Sequence, residues 1–330
     1  MSDDRYKTLI QTMQNILPEE DCAQAYLIVL SGAEIGKMHR LEPGSTSIGR
    51  SRETKVCLEH EEISRLHAEI LITSSGAAYI RDCGSSNGTL LNAKPLTDAQ
   101  RELTDGDKIQ IGGTVILKFS YQDHLEESFQ LALYNSAVRD PLTGVHNKRY
   151  LTERIEQEFF YAMRHNVPMS VALFDLDHFK RVNDSFGHAA GDHVLKSFCL
   201  QVGRHTRSEE LFARYGGEEF VQLMLGSTVE EARMSADRMR RLIAERYFEY
   251  CGDKIRITVS IGVASTSCEK FDSAEELLMR ADEYLYQAKR NGRNCVCCFD
   301  TKQSETETSV ELVENPEPDG SESGDLRKAE

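Results

Sequence analysis

RYGGEEF, residues 214–220, sets Gly216 and Gly217 directly against Glu218 and Glu219, with Arg214 two residues ahead of the glycines. Glycine permits positive φ and close backbone approach to a ligand, so the pair suits a tight hairpin. Two adjacent carboxylates at such a turn repel one another unless a cation lies between them. Mg²⁺ commonly takes one or two carboxylates and completes its shell with phosphate oxygens and water, so the glutamates read as hard-metal ligands beside a nucleotide. A partner carboxylate is then expected. SVALFDLD (170–177) supplies it: the apolar run reads as a buried strand with Asp175 at its carboxyl end, where sites form in open α/β sheets. On spacing alone a second reading stays open, in which GGEE is an ordinary surface hairpin and Asp177 only caps the helix that starts at DHFKRVNDSF.

Outward from this stretch, residues 139–299 alternate strand and helix patterns. SVALF, FVQLML and IRITVSIGVAS read as strands. DHFKRVNDSF, DHVLKSFCLQVGRHT, VEEARMSADRMRRLIAER and AEELLMRADEYLYQAKRNG read as helices, the last stopped by Gly292. That order predicts an α/β domain with helices packed on a sheet. Residues 25–121 are different. AYLIVL, STSIGR, HAEILIT, AAYIRD, KIQI and TVILKFSY are short strands punctuated by EPGS, TSSG, GSSNG, TDGD and GG, the pattern of a β-sandwich. Between the two, residues 122–138 space Leu125, Phe129, Ala132 and Leu133 as a linking helix, which breaks at RDPLTG. Residues 1–24 form a polar leader with an amphipathic turn at Leu9, Ile10, Met13 and Ile16. Residues 300–330, with ten acidic and three basic residues and no aromatics after Phe299, read as a disordered acidic tail.

The 330 residues carry a net charge of −15, which argues against a nucleic-acid polymer or an anionic membrane as partner but not against a nucleotide held through a metal or a local basic cluster. The nine cysteines form no disulfide framework, and Cys295, Cys297 and Cys298 lack a second cluster at zinc spacing. With no signal-peptide core and no apolar run of membrane length, a cytoplasmic protein is expected.

RDPLTG, FDLDHFKRVNDSFGHAAGD, RYGGEEF and ADEYLYQAKRNGRN occur in the order and spacing of the GGDEF domain family, which this region resembles over about 138–299. The resemblance implies a palm-like α/β fold and synthesis of cyclic di-GMP from two GTP molecules. Asp175, the Leu176 carbonyl, Glu218 and Glu219 match the family's metal-binding positions, for Mg²⁺ or Mn²⁺. Asn183 and Asp192 match its guanine contacts, and an amide plus an acid suit guanine's acceptors and donors. Lys180, Lys289 and Arg293 match its phosphate contacts. Glu218 is the candidate to activate the 3′-hydroxyl, with Asp175 as its catalytic companion. One chain supplies one half-site, so a homodimer is implied. Many members carry an RxxD product-inhibition site five residues before the glycines; here it reads RSEE, Arg207 to Glu210. A silent member would commonly have lost one of the carboxylates. The alternative from another class is such a silent, nucleotide-binding adaptor.

SIGRS (47–51), ISRLHAE (63–69) and CGSSNGTLLN (83–92) resemble the forkhead-associated, or FHA, family over about 25–120. The resemblance implies a phosphothreonine-peptide reader. Arg50, Ser64 and Ser86 would contact the phosphate and Arg65 and Asn87 the peptide, with His67 and Gly49 supporting the loops. A guanidinium fork with hydroxyl donors suits a dianionic phosphate. Together the two resemblances imply a bacterial signalling enzyme gated by a phosphopeptide in trans or in cis and served by a Ser/Thr kinase. Candidate self-sites are Thr8 and Thr12 in the leader, with Thr301, Thr306 and Thr308 in the tail.

Overall fold

The computed structural model describes residues 23–299 apart from positions 33, 98 and 208; the leader threonines Thr8 and Thr12, and the tail, lie outside the described residues. The chain divides after Val138 into two units.

The first unit runs β1 (Gln24–Ser31), β2 (Met38–Leu41), β3 (Gly44–Gly49), β4 (Val56–Cys57), β5 (Ala68–Ile72), β6 (Ala78–Asp82), β7 (Thr89–Leu91), β8 (Lys94–Pro95), β9 (Arg101–Leu103), β10 (Lys108–Ile111) and β11 (Val115–Gln122). They form two sheets, in the orders β2-β1-β11-β10-β7-β8 and β4-β3-β5-β6-β9. Alternation builds the core: Leu27, Val29, Ile109, Ile111, Leu117 and Phe119 of one sheet meet Ile48, Ala68, Ile70, Ile72 and Ile80 of the other. The short strands β2, β4 and β7–β9 carry too few apolar residues to show as strands in the sequence; pairing with longer neighbours makes them. Helix α1 (His124–Val138) closes the unit. Its helical spacing holds, yet Leu125, Phe129 and Leu133 are exposed and only Val138 is buried.

The second unit contains α2 (Lys148–His165), β12 (Met169–Leu176), α3 (Phe179–Phe186), α4 (His188–Gly203), β13 (Leu211–Arg214), β14 (Glu219–Leu225), α5 (Val229–Ala244), β15 (Phe248–Tyr250), β16 (Asp253–Ile255), β17 (Val259–Ser265), α6 (Ala274–Arg290) and β18 (Val296–Cys298). Its main sheet has the order β13-β14-β12-β17-β18, antiparallel except for the β17–β18 pair. β12 is buried along its whole length, because helices cover both faces. Its residues divide by parity: Ala172, Phe174 and Leu176 face the core built with α3, α4 and α5, whereas Met169, Val171 and Leu173 face α2 and α6. Asp175 continues the second set and so falls on the α6 side. Gly262 lets α6 lie close on β17, since a Cβ there would run into the Ala281 carbonyl and the Leu285 amide.

Two expectations need correction. Asp177 does not cap α3: the helix begins at Phe179, and its preceding residue His178, at φ 56°, makes no side-chain cap. The Asp177 carboxylate is engaged elsewhere by stronger donors, described below. The strand read across IRITVSIGVAS is interrupted: β16 ends at Ile255 and β17 starts at Val259.

Candidate active site and phosphate-reading loops

The GGEE hairpin joins β13 to β14. Tyr215 and Gly216 donate their amides to the Glu219 carbonyl, at 2.9 and 3.2 Å. Neither Gly216 nor Gly217 has positive φ, so the left-handed freedom expected of them is unused. At Gly216 a Cβ would lie 2.8 Å from Glu219 Oε2, so a side chain there would displace the Glu219 carboxylate. Arg214 explains the arginine ahead of the glycines. Its guanidinium donates to the Gly217 carbonyl at 2.7 and 3.1 Å and to both oxygens of Asp140 at 3.2 Å. Asp140 also accepts the Thr143 amide and hydroxyl at 2.8 and 2.7 Å. RDPLTG therefore fastens the hairpin, a role its sequence did not disclose. Burial opposes ionisation of Asp140, but the Thr143 bonds and the Arg214 charge prevail and hold its carboxyl below the usual range.

Register brings the carboxylates together. Asp175 pairs directly with Glu219 across β12–β14, and the Leu176 amide donates to the Glu218 carbonyl at 3.3 Å. Lys289, near the end of α6, reaches Asp175 Oδ2 at 2.7 Å. Burial raises the Asp175 pKa; Lys289 pulls it down and Asp177 pushes it up, and the net shift is upward. Glu218 is also raised, first by burial and then by the charge of Asp175, against the pull of Lys289. Two carboxylates whose ionisation is opposed by burial and by neighbouring carboxylates form a site that a cation would relieve.

Among the described residues no three His, Cys, Asp or Glu side chains are grouped to hold a metal. The donor set is thus a carboxylate pair with nearby backbone oxygen, which fits a Mg²⁺ ion that takes most of its shell from phosphates and water rather than a closed protein cage.

Asn183 on α3 and Asp192 on α4 are drawn near one another because Gly191 lets the helices meet; a Cβ at Gly191 would strike Asn183 Oδ1. Lys180 stands exposed on the first turn of α3, and Arg293 is exposed just after α6, where its guanidinium donates to the Lys289 carbonyl at 3.5 Å. Arg207 and Glu210 lie apart from these, before β13. Glu210 Oε2 accepts from the buried Gln222 at 2.8 Å and from the Arg207 amide at 3.1 Å, beside a cavity of about 330 Å³ also lined by Ser227, Glu231, Ser235 and Arg238.

In the first unit Arg50, Arg65, Ser86 and Asn87 are exposed and Ser64 is half-buried. The loops bearing them are tied together. The Ser86 amide donates to Ser64 Oγ at 3.0 Å, and the Arg50 amide to the Ser64 carbonyl at 3.0 Å. Asn87 Nδ2 donates to the Glu62 carbonyl at 2.8 Å, so its amide is engaged within the loops. His67 is fully buried; Nδ1 accepts from the Ser64 amide at 3.1 Å, which leaves Nε2–H to donate to the Gly88 carbonyl at 3.0 Å. Gly49 is obligatory, because a Cβ there would collide with the Arg65 carbonyl. Asp82 accepts from the Gly84 and Ser85 amides and the Ser85 and Thr89 hydroxyls at 2.6–2.8 Å.

The chain is therefore a β-sandwich with a hydroxyl- and guanidinium-bearing loop cluster, followed by an α/β unit with a carboxylate-pair site. Residues 137–295 match the sequence profile of the diguanylate cyclase, GGDEF domain family, and residues 46–112 that of the FHA domain; the chain is an FHA–GGDEF protein. It is 40% identical over 185 residues to the response regulator PleD of Caulobacter vibrioides, covering 56% of this chain and 40% of that one. It is 41% identical over 175 residues to the diguanylate cyclase DgcP of Pseudomonas aeruginosa, covering 53% and 25%. The chain thus spans less than half the length of either curated relative. A solved active GGEEF domain of a diguanylate cyclase from Vibrio cholerae is 33% identical, covering 47% of this chain and 97% of that domain, with a TM-score of 0.44. Among the described residues no helix is long and apolar enough to cross a membrane.

Proposed function

We propose that this chain is a diguanylate cyclase that condenses two GTP molecules to cyclic di-GMP and two pyrophosphates. The observation that carries the reading is the Asp175–Glu218 pair, both raised in pKa by burial and Glu218 also by the Asp175 charge, with Lys289 against it. Asp175, Glu218 and the Leu176 carbonyl would hold Mg²⁺ or Mn²⁺, which when bound supplies charge neutralisation for the triphosphate, and Glu219, not grouped with them here, would join on loading. Lys180, Lys289 and Arg293 hold the phosphates and offset the charge that grows on the α-phosphate oxygens. Asn183 and Asp192 hold the guanine. The 3′-oxygen of one nucleotide attacks the α-phosphorus of the other, the bond to pyrophosphate breaks, and the hydroxyl proton passes to Glu218. A carboxylate with a raised pKa is the better proton acceptor. Since each chain holds one GTP, two chains must face each other, and a second transfer closes the ring.

The FHA loops read phosphothreonine through Arg50, Ser64 and Ser86, with Arg65 and Asn87 on the peptide. Binding gates synthesis by changing how two cyclase domains meet. The preferred peptide is the chain's own leader, phosphorylated by a Ser/Thr kinase at Thr8 or Thr12. At Arg207 and Glu210 the glutamate carries one methylene more than the family's aspartate and its carboxylate accepts from Gln222, both of which weaken product binding there.

The test is incubation of the purified chain with GTP and Mg²⁺, with products identified by mass spectrometry. Cyclic di-GMP from wild type and none from Glu218→Ala is expected. No product before or after threonine phosphorylation would overturn the cyclase reading. Thr8→Ala with Thr12→Ala should abolish kinase-dependent activation while leaving unstimulated synthesis intact; unchanged activation removes the leader from the scheme.

A further inference from the structure

Immediately after α6 the backbone enters a conformation that L-residues avoid. Gly292, Arg293 and Asn294 have φ values of 102°, 65° and 46°, three successive left-handed residues of which only one is glycine. Such a turn persists only where its surroundings over-determine it. Two braces do so here. On one side Arg240 donates to the Asn294 carbonyl at 3.2 Å and to its side-chain oxygen at 3.1 Å, while Asp237 holds Arg240 at 2.8 Å. On the other, the Asn294 amide donates to Asp177 Oδ2 at 3.0 Å.

Asp177 is a hub rather than a helix cap. It is 5% exposed. Besides Asn294 it accepts the Thr258 hydroxyl at 2.7 Å and the Ser260 hydroxyl at 2.6 Å, and its own amide donates to the Thr258 carbonyl at 2.9 Å. One buried carboxylate thus joins the end of β12, the start of β17 and the turn after α6. A buried carboxylate is retained only with such partners, and each partner is in turn fixed by it. The turn it fixes carries Arg293, whose amide donates to the Ala288 carbonyl at 3.1 Å and whose guanidinium donates to the Lys289 carbonyl. Lys289 is the residue that touches Asp175.

We propose that Asp177 is a positioning residue of the nucleotide site, holding the Gly292–Asn294 turn in its left-handed form so that Arg293 and Lys289 stand ready for the triphosphate beside Asp175. This rests on the reading of Arg293 and Lys289 as phosphate contacts. Asp177 touches no substrate itself; it acts through the turn.

The test is a double-mutant cycle in the full chain, with KM for GTP and kcat measured in Mg²⁺. Asp177→Asn should raise KM about tenfold with kcat changed less than about threefold, and Arg293→Ala should do the same. The double variant should be no worse than Arg293→Ala alone, because residues acting as a unit are not additive. Asn294→Gly, which accepts the left-handed backbone, should restore part of the loss in Asp177→Asn. An Asp177→Asn effect of equal size in the presence and absence of Arg293 overturns the proposal, as does an unchanged KM beside a damaging Arg293→Ala. A silent Arg293→Ala overturns the phosphate reading and this inference with it. Should Asp177→Asn fail to fold, Arg240→Ala carries the test from the other brace: a raised KM supports the positioning role, and an unchanged one overturns it.

Discussion

On the proposed function, the two sites meet a phosphate in opposite ways. The FHA loops present cations and hydroxyls outward, and every bond that shapes them is internal: His67 ties Ser64 to Gly88, Ser64 ties Ser86, and Gly49 lets the Arg65 carbonyl approach. Asp82, a carboxylate bonded within these loops, is taken up by the Gly84 and Ser85 amides and the Ser85 and Thr89 hydroxyls. The α/β site, on the proposed reading, brings phosphates to a pair of carboxylates, and the Asp175 charge that opposes Glu218 ionisation is only partly relieved by Lys289. The first site is complete without help. The second, read as a nucleotide site, is electrostatically unfinished until a cation binds. A reader must bind and release, while a catalyst must also take a proton and stabilise charge that appears only during reaction; the unfinished site is the one suited to chemistry.

The largest effect should come from removing the carboxylate whose pKa is raised. Glu218→Gln keeps the hairpin's shape but removes the proton acceptor, and cyclic di-GMP synthesis should fall by about 10²–10⁴-fold. Phosphothreonine-peptide affinity, measured by fluorescence anisotropy on the same preparation, should not move. A loss in both readouts would break the comparison by showing that the sites are not separable.

Next comes the converse, damage confined to the sandwich. Gly49→Ala pushes a methyl group into the Arg65 carbonyl, and overpacking of this kind costs about 1–3 kcal/mol. The first unit should melt earlier and lose the phosphopeptide, while unstimulated GTP turnover remains. His67→Ala should act in the same direction by leaving the Ser64 amide and the Gly88 carbonyl without their partner, at about 1–3 kcal/mol. A binding-competent Gly49→Ala chain would show that these loops need no close approach.

How much of this contrast could be read beforehand differs between the sites. Strand alternation and turn residues gave the sandwich, and the apolar run before Asp175 placed that residue at the end of a buried strand. Helix α2 was overlooked, although Leu151, Ile155, Phe159 and Ala162 recur at helical spacing behind Asn147, which accepts the Tyr150 amide as an N-cap. The roles of Asp140 and Asp177 were not legible, for a physical reason. Asp140 acts on Arg214, 74 positions away, and Asp177 acts on Asn294, 117 positions away. Local pattern reports propensity and periodicity, while a long-range polar bond exists only once the sheet has set its register. The glycines show the same limit: the expected positive φ is absent at Gly216 and Gly217, and what adjoins Gly216 is the Glu219 carboxylate.

The smallest effect sharpens the contrast most, because the two sites should answer pH in opposite directions. In the sandwich, burial works against Asp82, but its bonds from Ser85 and Thr89 prevail and lower its pKa. Stability from such a group is present above its ordinary value, about 4, and is lost as pH falls through its lower folded value. Asp175 and Glu218 are raised, so the folded metal-free site retains protons that the unfolded chain has released. Stability there is lost as pH rises from about 4 through the folded values. Because Glu218 is partly open to solvent, which screens its share, the fall should be no more than about 2–4 °C in the melting temperature of the second unit. Scanning calorimetry from pH 4 to 8, with and without Mg²⁺, reads both transitions at once. Mg²⁺ should raise only the second, and more at high pH than at low, since it binds the ionised carboxylates. In Glu218→Gln both the pH slope and the Mg²⁺ response should shrink together. A Mg²⁺ response that persists at full size in that variant would place the ion elsewhere and remove the electrostatic reason for calling this site unfinished.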